Sequence, residues 1–395
     1  MNRETIHLYV NMPGHTPVFP TVAAALESIQ AQEPEKTYPA FSSDIAPAVV
    51  HIGSGIYREK LVITRPNLTL LGEGKSRDDT VLVWGDGAFD LMPEGDKRGT
   101  FRTASVRIDT HDFTARHLTF QNDAGYGRDA GQALALYVDG DRIYFEDCRL
   151  LGSQDTLFTA PLPLKEAIPG GFKGPGADRP RIMGRHCFRG CMLQGDVDFI
   201  FGGGIAWFEN CVLFSKLPEP ESPAQNGQPA QLQTAPGSSR STQPQTAPGS
   251  CRSTQPQTAP DSSQSTQPPA GPIHGYITAA STPEGRPYGY VFRNCRLESD
   301  CPPGTVMLGR PWREWAKTVY LNCEMGPHIH PAGWADWGKP HGHFYYGEYH
   351  STGPGASSET RADFSCQLTD KEAAEYTVEN VLEGWIPGIK PEDKG

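Results

Sequence analysis

Nowhere in the 395-residue chain is there a run of about 18 uncharged apolar residues, which excludes a membrane-spanning helix. The opening MNRETIHLYVNMPG also lacks an apolar core long enough for a signal peptide, so a cytoplasmic location is expected for the chain as written, and secretion only if a leader has been removed. Basic charge is short as well: 35 Lys and Arg stand against 46 Asp and Glu, a net charge of −11. That balance repels polyanions at long range, so neither nucleic acid nor a membrane is an expected partner. Helical periodicity is scarce too. The clearest amphipathic stretch is TVAAALESIQAQ, Thr21 to Gln32.

What the chain does have is a repeated unit. FEDCRLLG at Phe145 returns as FRGCMLQG at Phe188, FENCVLF at Phe208, FRNCRLE at Phe292 and YLNCEMG at Tyr320. Cys148, Cys191, Cys211, Cys295 and Cys323 share one slot, each after an Asn, Asp or Gly. An earlier unit, LTFQNDAG at Leu118, is read with Asp123 in that slot. Stacking like on like is what successive coils of a solenoid do, and the irregular intervals fit a β-solenoid with loops of varied length. Short runs such as AVVHIG, LTLLGEG and TVLVWG agree with strand following strand. The fold class expected is therefore all-β, a solenoid whose open end is covered by the Thr21–Gln32 helix. The stacked cysteines form a column rather than the converging set that a tetrahedral metal needs, so they are expected as buried thiols, and no metal is expected. The HIH and HGH pairs between His328 and His350 carry no metal role either.

One stretch differs in kind. From Thr234 to Pro269 a twelve-residue unit, TAPGSSRSTQPQ, runs three times, rich in Pro, Ser, Thr and Gln. It has too little apolar surface to offset the entropy of ordering, so residues 1–395 are expected to form a single domain interrupted by a disordered insertion at about 218–271. Cys251 falls inside it.

The chemistry is concentrated around LQGDVDFIFGGG, where Asp198 sits among Val197, Phe199, Ile200 and Phe201. Strand alternation places Val197, Phe199 and Phe201 on one side and Asp196, Asp198 and Ile200 on the other. Flanking glycines leave the backbone near Asp198 open to a substrate. Candidate companions are Gln132 in GQALAL, Gln154 and Asp155 in GSQDTLF, and Arg310 and Trp312 in LGRPW. Ester hydrolysis needs a nucleophile, a proton donor for the departing alcohol and donors aimed at the oxyanion. Two Asp, two neutral amides and an Arg supply that set, although each alone also reads as a structural residue.

Together, GIYREK, GQALAL, SQDTLF, DVDFIFG, LGRPW and YYGEYHSTGPGA, in that order, resemble the pectin methylesterase (pectinesterase) family from about Thr21 to Arg361. The resemblance implies a right-handed parallel β-helix and hydrolysis of galacturonate methyl esters in homogalacturonan or oligogalacturonides, without cofactor; a monomer is expected. It implies Asp198 as nucleophile, Asp155 as general acid and then base, Gln132 and Gln154 as oxyanion donors, and Arg310 fixing the nucleophile. Trp312 would contact sugar, with Phe199 and Trp334 lining the groove. A β-helical pectate lyase or glycosidase, or a non-catalytic pectin-binding protein, are the competing readings. Finally, the link after SQDTLF is long. Residues 161–186 carry five cations, Lys165, Lys173, Arg179, Arg181 and Arg185, against Glu166 and Asp178, so this loop is expected beside the groove, holding free carboxylates.

Overall fold

The F-x-x-C unit forms one corner of a repeated coil. In the coil of Phe145, the strand Ile143–Glu146 ends at Asp147, whose φ of 49° turns the chain sharply before Cys148 and the strand Arg149–Leu151. A further turn leads to Leu157–Thr159. The same left-handed corner recurs at Gly190, Asn210, Asn294 and Asn322. Asn, Asp and Gly are the residues that adopt it at least cost, which is why one of them precedes every repeated cysteine. Among the described residues, successive coils feed three parallel sheets of 12, 8 and 7 strands, which make a parallel β-helix. The computed structural model describes residues 4–30, 45–218 and 272–388. Beyond Pro218, the expected repeat insertion, with Cys251, lies outside the described residues.

Register fixes what stacks on what. Arg149, Met192, Val212, Arg296 and Glu324 pair in succession, so the cysteines before them form a buried column. Each thiol donates to a carbonyl of the coil beneath, Cys148 to Ala115 at 3.4 Å and Cys211 to Phe188 at 3.4 Å. The slot in the earlier coil belongs to Leu118, not Asp123, because Thr119 pairs with Arg149. Leu118 is fully buried, whereas Asp123 ion-pairs with Arg58. Beside the cysteines runs an aromatic stack: Phe145, Phe188, Phe208, Phe292 and Tyr320 follow one another at 4.5–4.7 Å between ring centroids. Each such ring, withdrawn from water, contributes about 1.5–3 kcal/mol.

The covering helix is present as Val22–Gln30. Val22, Ala25, Leu26 and Ile29 enter the interior, while Glu59 accepts the first N–H groups, from Val22 at 3.1 Å and Ala23 at 2.7 Å. A carboxylate is favoured there by the helix dipole. None of the described helices is long and apolar enough to cross a membrane.

The seven-stranded sheet positions the site. Leu136, Val138, Leu157 and Ile200 point into the solenoid, and the residues between them point out. Tyr137, Phe158, Phe201 and Ala279 form an outward row in register across four strands.

Candidate active site

Asp198 owes its position to a break in that row. The strand Val197–Gly202 pairs with Gly275–Ala280 through a register shift between Val197 and Ile200, and Asp198 adopts a φ of 51°. A left-handed residue inside a strand ends the period-two alternation. Consequently Val197, Phe199 and Phe201 do not share a face. Phe199 turns into the solenoid beside Ile200 and is 0% exposed, so it does not line the groove. Gly195 makes room for that inward turn, since a Cβ there would lie 2.2 Å from Phe199 Cβ. The extended pattern fails here because Asp198 occupies the bulge itself. Asp155 is built alike: its φ is 65°, and its N–H donates to Val197 C=O at 3.0 Å, which sets it on the coil next to Asp198.

Arg310 follows the strand Val306–Gly309 and meets Asp198 in a forked pair, Nε to Oδ1 at 2.9 Å and Nη2 to Oδ2 at 2.7 Å. Its guanidinium is held between two rings, 3.9 Å from the centroid of Tyr276 and 3.8 Å from that of Trp337. The planar fork is thereby fixed before any substrate arrives. Electrostatics separates the two carboxyls. Burial, then the Asp198 charge, push Asp155 well above the usual carboxylate range, with Arg310 opposing. Burial also raises Asp198, but the Arg310 charge and hydrogen bonds pull it back. Both carboxyls are thus pushed above the usual carboxylate range, and only Asp198 has a cation bonded directly to it to oppose the rise.

These groups open into a cavity of about 260 Å³ that is also lined by Gln132, Gln154 and Trp312. The two glutamines come from neighbouring coils, tied where Ala133 N–H donates to Gln154 C=O at 3.1 Å. All of Gln132, Gln154, Asp155, Asp198, Arg310 and Trp312 are thus brought together. Trp334 is not. It is 2% exposed, stacks on Tyr346 at 4.3 Å and donates Nε1–H to Glu348 at 3.0 Å, which in turn pairs with Arg361. Of the two tryptophans of AGWADW, the one at the cavity is Trp337, 41% exposed. Phe101, Phe172 and Arg313 also line it and carried no sequence signal of their own.

The basic loop also differs from expectation. It does reach the cavity, through Ala167, Ile168, Gly171 and Phe172. Four of its five cations, however, are engaged in fastening it, while Lys165 stays exposed: Lys173 pairs with Asp96, Arg179 with Asp109 and Asp139, and Arg185 with Asp141. Arg181 donates to the carbonyls of Gly176, Ala177 and Arg179. The charge of these four is met within the protein. The histidines of the C-terminal third are similarly placed: His328 is buried, His341 pairs with Asp336 at 3.0 Å, and His343 stacks on Trp315 at 4.6 Å. Among the described residues, no group of three His, Cys, Asp or Glu side chains is arranged to hold a metal.

With this geometry in place, comparison with known proteins gives the family. The model of the pectinesterase family matches residues 16–162 and 263–385. The chain belongs to the pectinesterase family. Like its relatives it is a carboxylic ester hydrolase. The matched segments include Gln132, Gln154, Asp155, Arg310 and Trp312, while Asp198 lies between them. This pectinesterase is 31% identical over 386 residues to Pectinesterase A of Dickeya chrysanthemi, covering 87% of this chain and 84% of that one. It is 29% identical over 345 residues to Pectinesterase QRT1 of Arabidopsis thaliana, with 85% and 70% covered. Among solved structures it resembles pectin methylesterase PemA from Erwinia chrysanthemi, at a TM-score of 0.66 and 29% identity over 98% of this chain and 100% of the other. A pectin methylesterase in complex with a hexasaccharide matches at a TM-score of 0.67, 29% identity and the same coverage.

Proposed function

We propose that the protein hydrolyses methyl esters of galacturonate units, with Asp198 as nucleophile and Asp155 as general acid and base. The observation that carries this reading is the forked Asp198–Arg310 pair beside a second buried carboxyl that burial and the Asp198 charge push upward. An Asp198 oxygen attacks the ester carbonyl carbon, and the carbonyl electron pair moves onto oxygen. The side-chain amides of Gln132 and Gln154 donate to that oxyanion without titrating themselves. On collapse the C–O bond to the methoxy group breaks, Asp155 gives it a proton, and methanol leaves an anhydride between Asp198 and the sugar carboxyl. Asp155, now ionised, takes a proton from water, the hydroxide oxygen attacks the sugar carbonyl carbon, and Asp198 is released as carboxylate. Arg310 lowers the cost of the Asp198 charge at both ends of the cycle.

The test is methanol release from methylated pectin with no new reducing ends and no unsaturated product. New chain ends would favour a glycosidase or lyase instead, and binding without methanol a non-catalytic protein. The pH profile provides a finer check. Arg310→Gln removes the charge that holds Asp198 down, so the acid limb of kcat/KM should move up by about one to three pH units. An unmoved acid limb would separate Arg310 from the ionisation of the nucleophile.

A further inference from the structure

Lys216 follows the strand Val212–Ser215, and its own N–H, donating to Gly195 C=O at 2.8 Å, sets its place on the coil. Its ammonium donates to the Ser153 hydroxyl at 2.7 Å. That hydroxyl belongs to a residue only 4% exposed and donates in turn to Gly125 C=O at 2.8 Å. With its proton given to Gly125, the Ser153 oxygen has only lone pairs left, and the lysine supplies the donor they need. The same ammonium lies over the Tyr126 ring, 4.2 Å from its centroid. A lysine is expensive in this place. It is half-buried, burial lowers its pKa, and among the described residues no carboxylate is ion-paired with it, Asp196 and Asp300 acting only through their charge.

The groups it fastens adjoin one of the two amides at the cavity. Residues 125–127 lead into the short helix Gly127–Ala130. Gly127 lies against the Gln154 side chain so closely that a Cβ there would come within 2.5 Å of Gln154 Oε1 and 3.0 Å of Gln154 Cβ. This segment therefore bounds the oxygen side of the amide, and Lys216 fastens it at Gly125, through Ser153, and at Tyr126. Ser153 is itself the residue before Gln154, and its C=O accepts the Asp196 N–H at 3.1 Å, two residues ahead of Asp198. Neither Lys216 nor Ser153 lines the cavity, so neither is a catalytic residue.

We infer that Lys216 is a positioning residue: through Ser153 and residues 125–127 it keeps the Gln154 amide in the orientation that donates to the oxyanion. This role rests on the esterase reading above, and the experiment keeps the two apart. Lys216→Met retains the aliphatic stem and removes the donor and the charge. On the plateau of its pH profile, kcat for methylated oligogalacturonides should fall by about 10- to 100-fold with KM changed by less than about twofold, because an oxyanion donor acts in the transition state. Ser153→Ala cuts the same chain with a smaller change and should show the same split. In a Gln154→Ala background, Lys216→Met should cost less than about a further twofold, since the group it positions is gone. A lysine with a merely structural role would instead give factors that multiply in the double variant. That result, or an unchanged kcat in both single variants, would overturn the positioning role and leave the esterase standing. So would a Gln154→Ala enzyme with normal kcat, which would leave nothing to position. If Lys216→Met does not fold, Ser153→Ala alone and combined with Gln154→Ala decides. Absence of methanol from the native enzyme would overturn the esterase reading, and the role of Lys216 with it.

Discussion

Asp198→Asn is expected to lower kcat/KM for methanol release by on the order of 10⁴-fold or more, with the protein still folded and still binding oligogalacturonide. The size of the effect follows from the role: an amide in this place cannot form the anhydride, and what remains is positioning and the oxyanion donors. Folding is spared because Asn tolerates the φ of 51° at this corner about as well as Asp. Its amide oxygen also still accepts from one arm of Arg310, which stays clamped between Tyr276 and Trp337. Methanol assays paired with calorimetric binding of oligomers separate the outcomes. Near-normal turnover would remove Asp198 as the nucleophile, and lost binding with lost structure would move it from chemistry to architecture.

The second large effect is that of Asp155→Asn, expected to cost about 10² to 10⁴ in rate. Its signature is more telling than its size. Burial and the Asp198 charge raise the Asp155 carboxyl, so its proton is present at low pH and lost as pH rises through that raised value. This loss should form the alkaline limb of the native profile, and the limb should disappear in the variant. A trifluoroethyl ester, whose alcohol departs without a proton, should restore the first step. The second step still lacks its base, so one equivalent of alcohol should appear rapidly, followed by slow turnover. An alkaline limb unchanged in the variant would assign that titration to another group.

Much of this was legible in the sequence, and the remainder fails for identifiable reasons. The F-x-x-C units disclosed the coils because stacked positions demand the same side chain each time, and the Asn, Asp or Gly before each cysteine marked the corner. Gln132, Gln154, Asp155, Asp198, Arg310 and Trp312 were legible because each lies in a short motif beside a strand, and they do converge. Phe199 was misplaced because alternation assumes extended backbone, and Asp198 is not extended. Between the two tryptophans of AGWADW nothing local distinguishes the one bonded to Glu348 from the one lying on Arg310, since both partners are distant in sequence. The loop cations looked available for substrate because Asp96, Asp109, Asp139 and Asp141, which bind most of them, belong to earlier coils.

The groups proposed to act in catalysis are spread along the solenoid, from Gln132 before the strand Leu136–Val138 to Arg310 after Val306–Gly309. In such a stack each coil is stabilised chiefly by its immediate neighbours, so unfolding propagates along one dimension and begins where a coil has a neighbour on one side only. Fraying at either terminus leaves the central coils in contact, and the active site with them. Loss of one central contact, by contrast, divides the coil of Asp198 from that of Arg310. Activity therefore reports on the middle of the molecule, and a spectroscopic melt that sums over all coils will begin before activity declines.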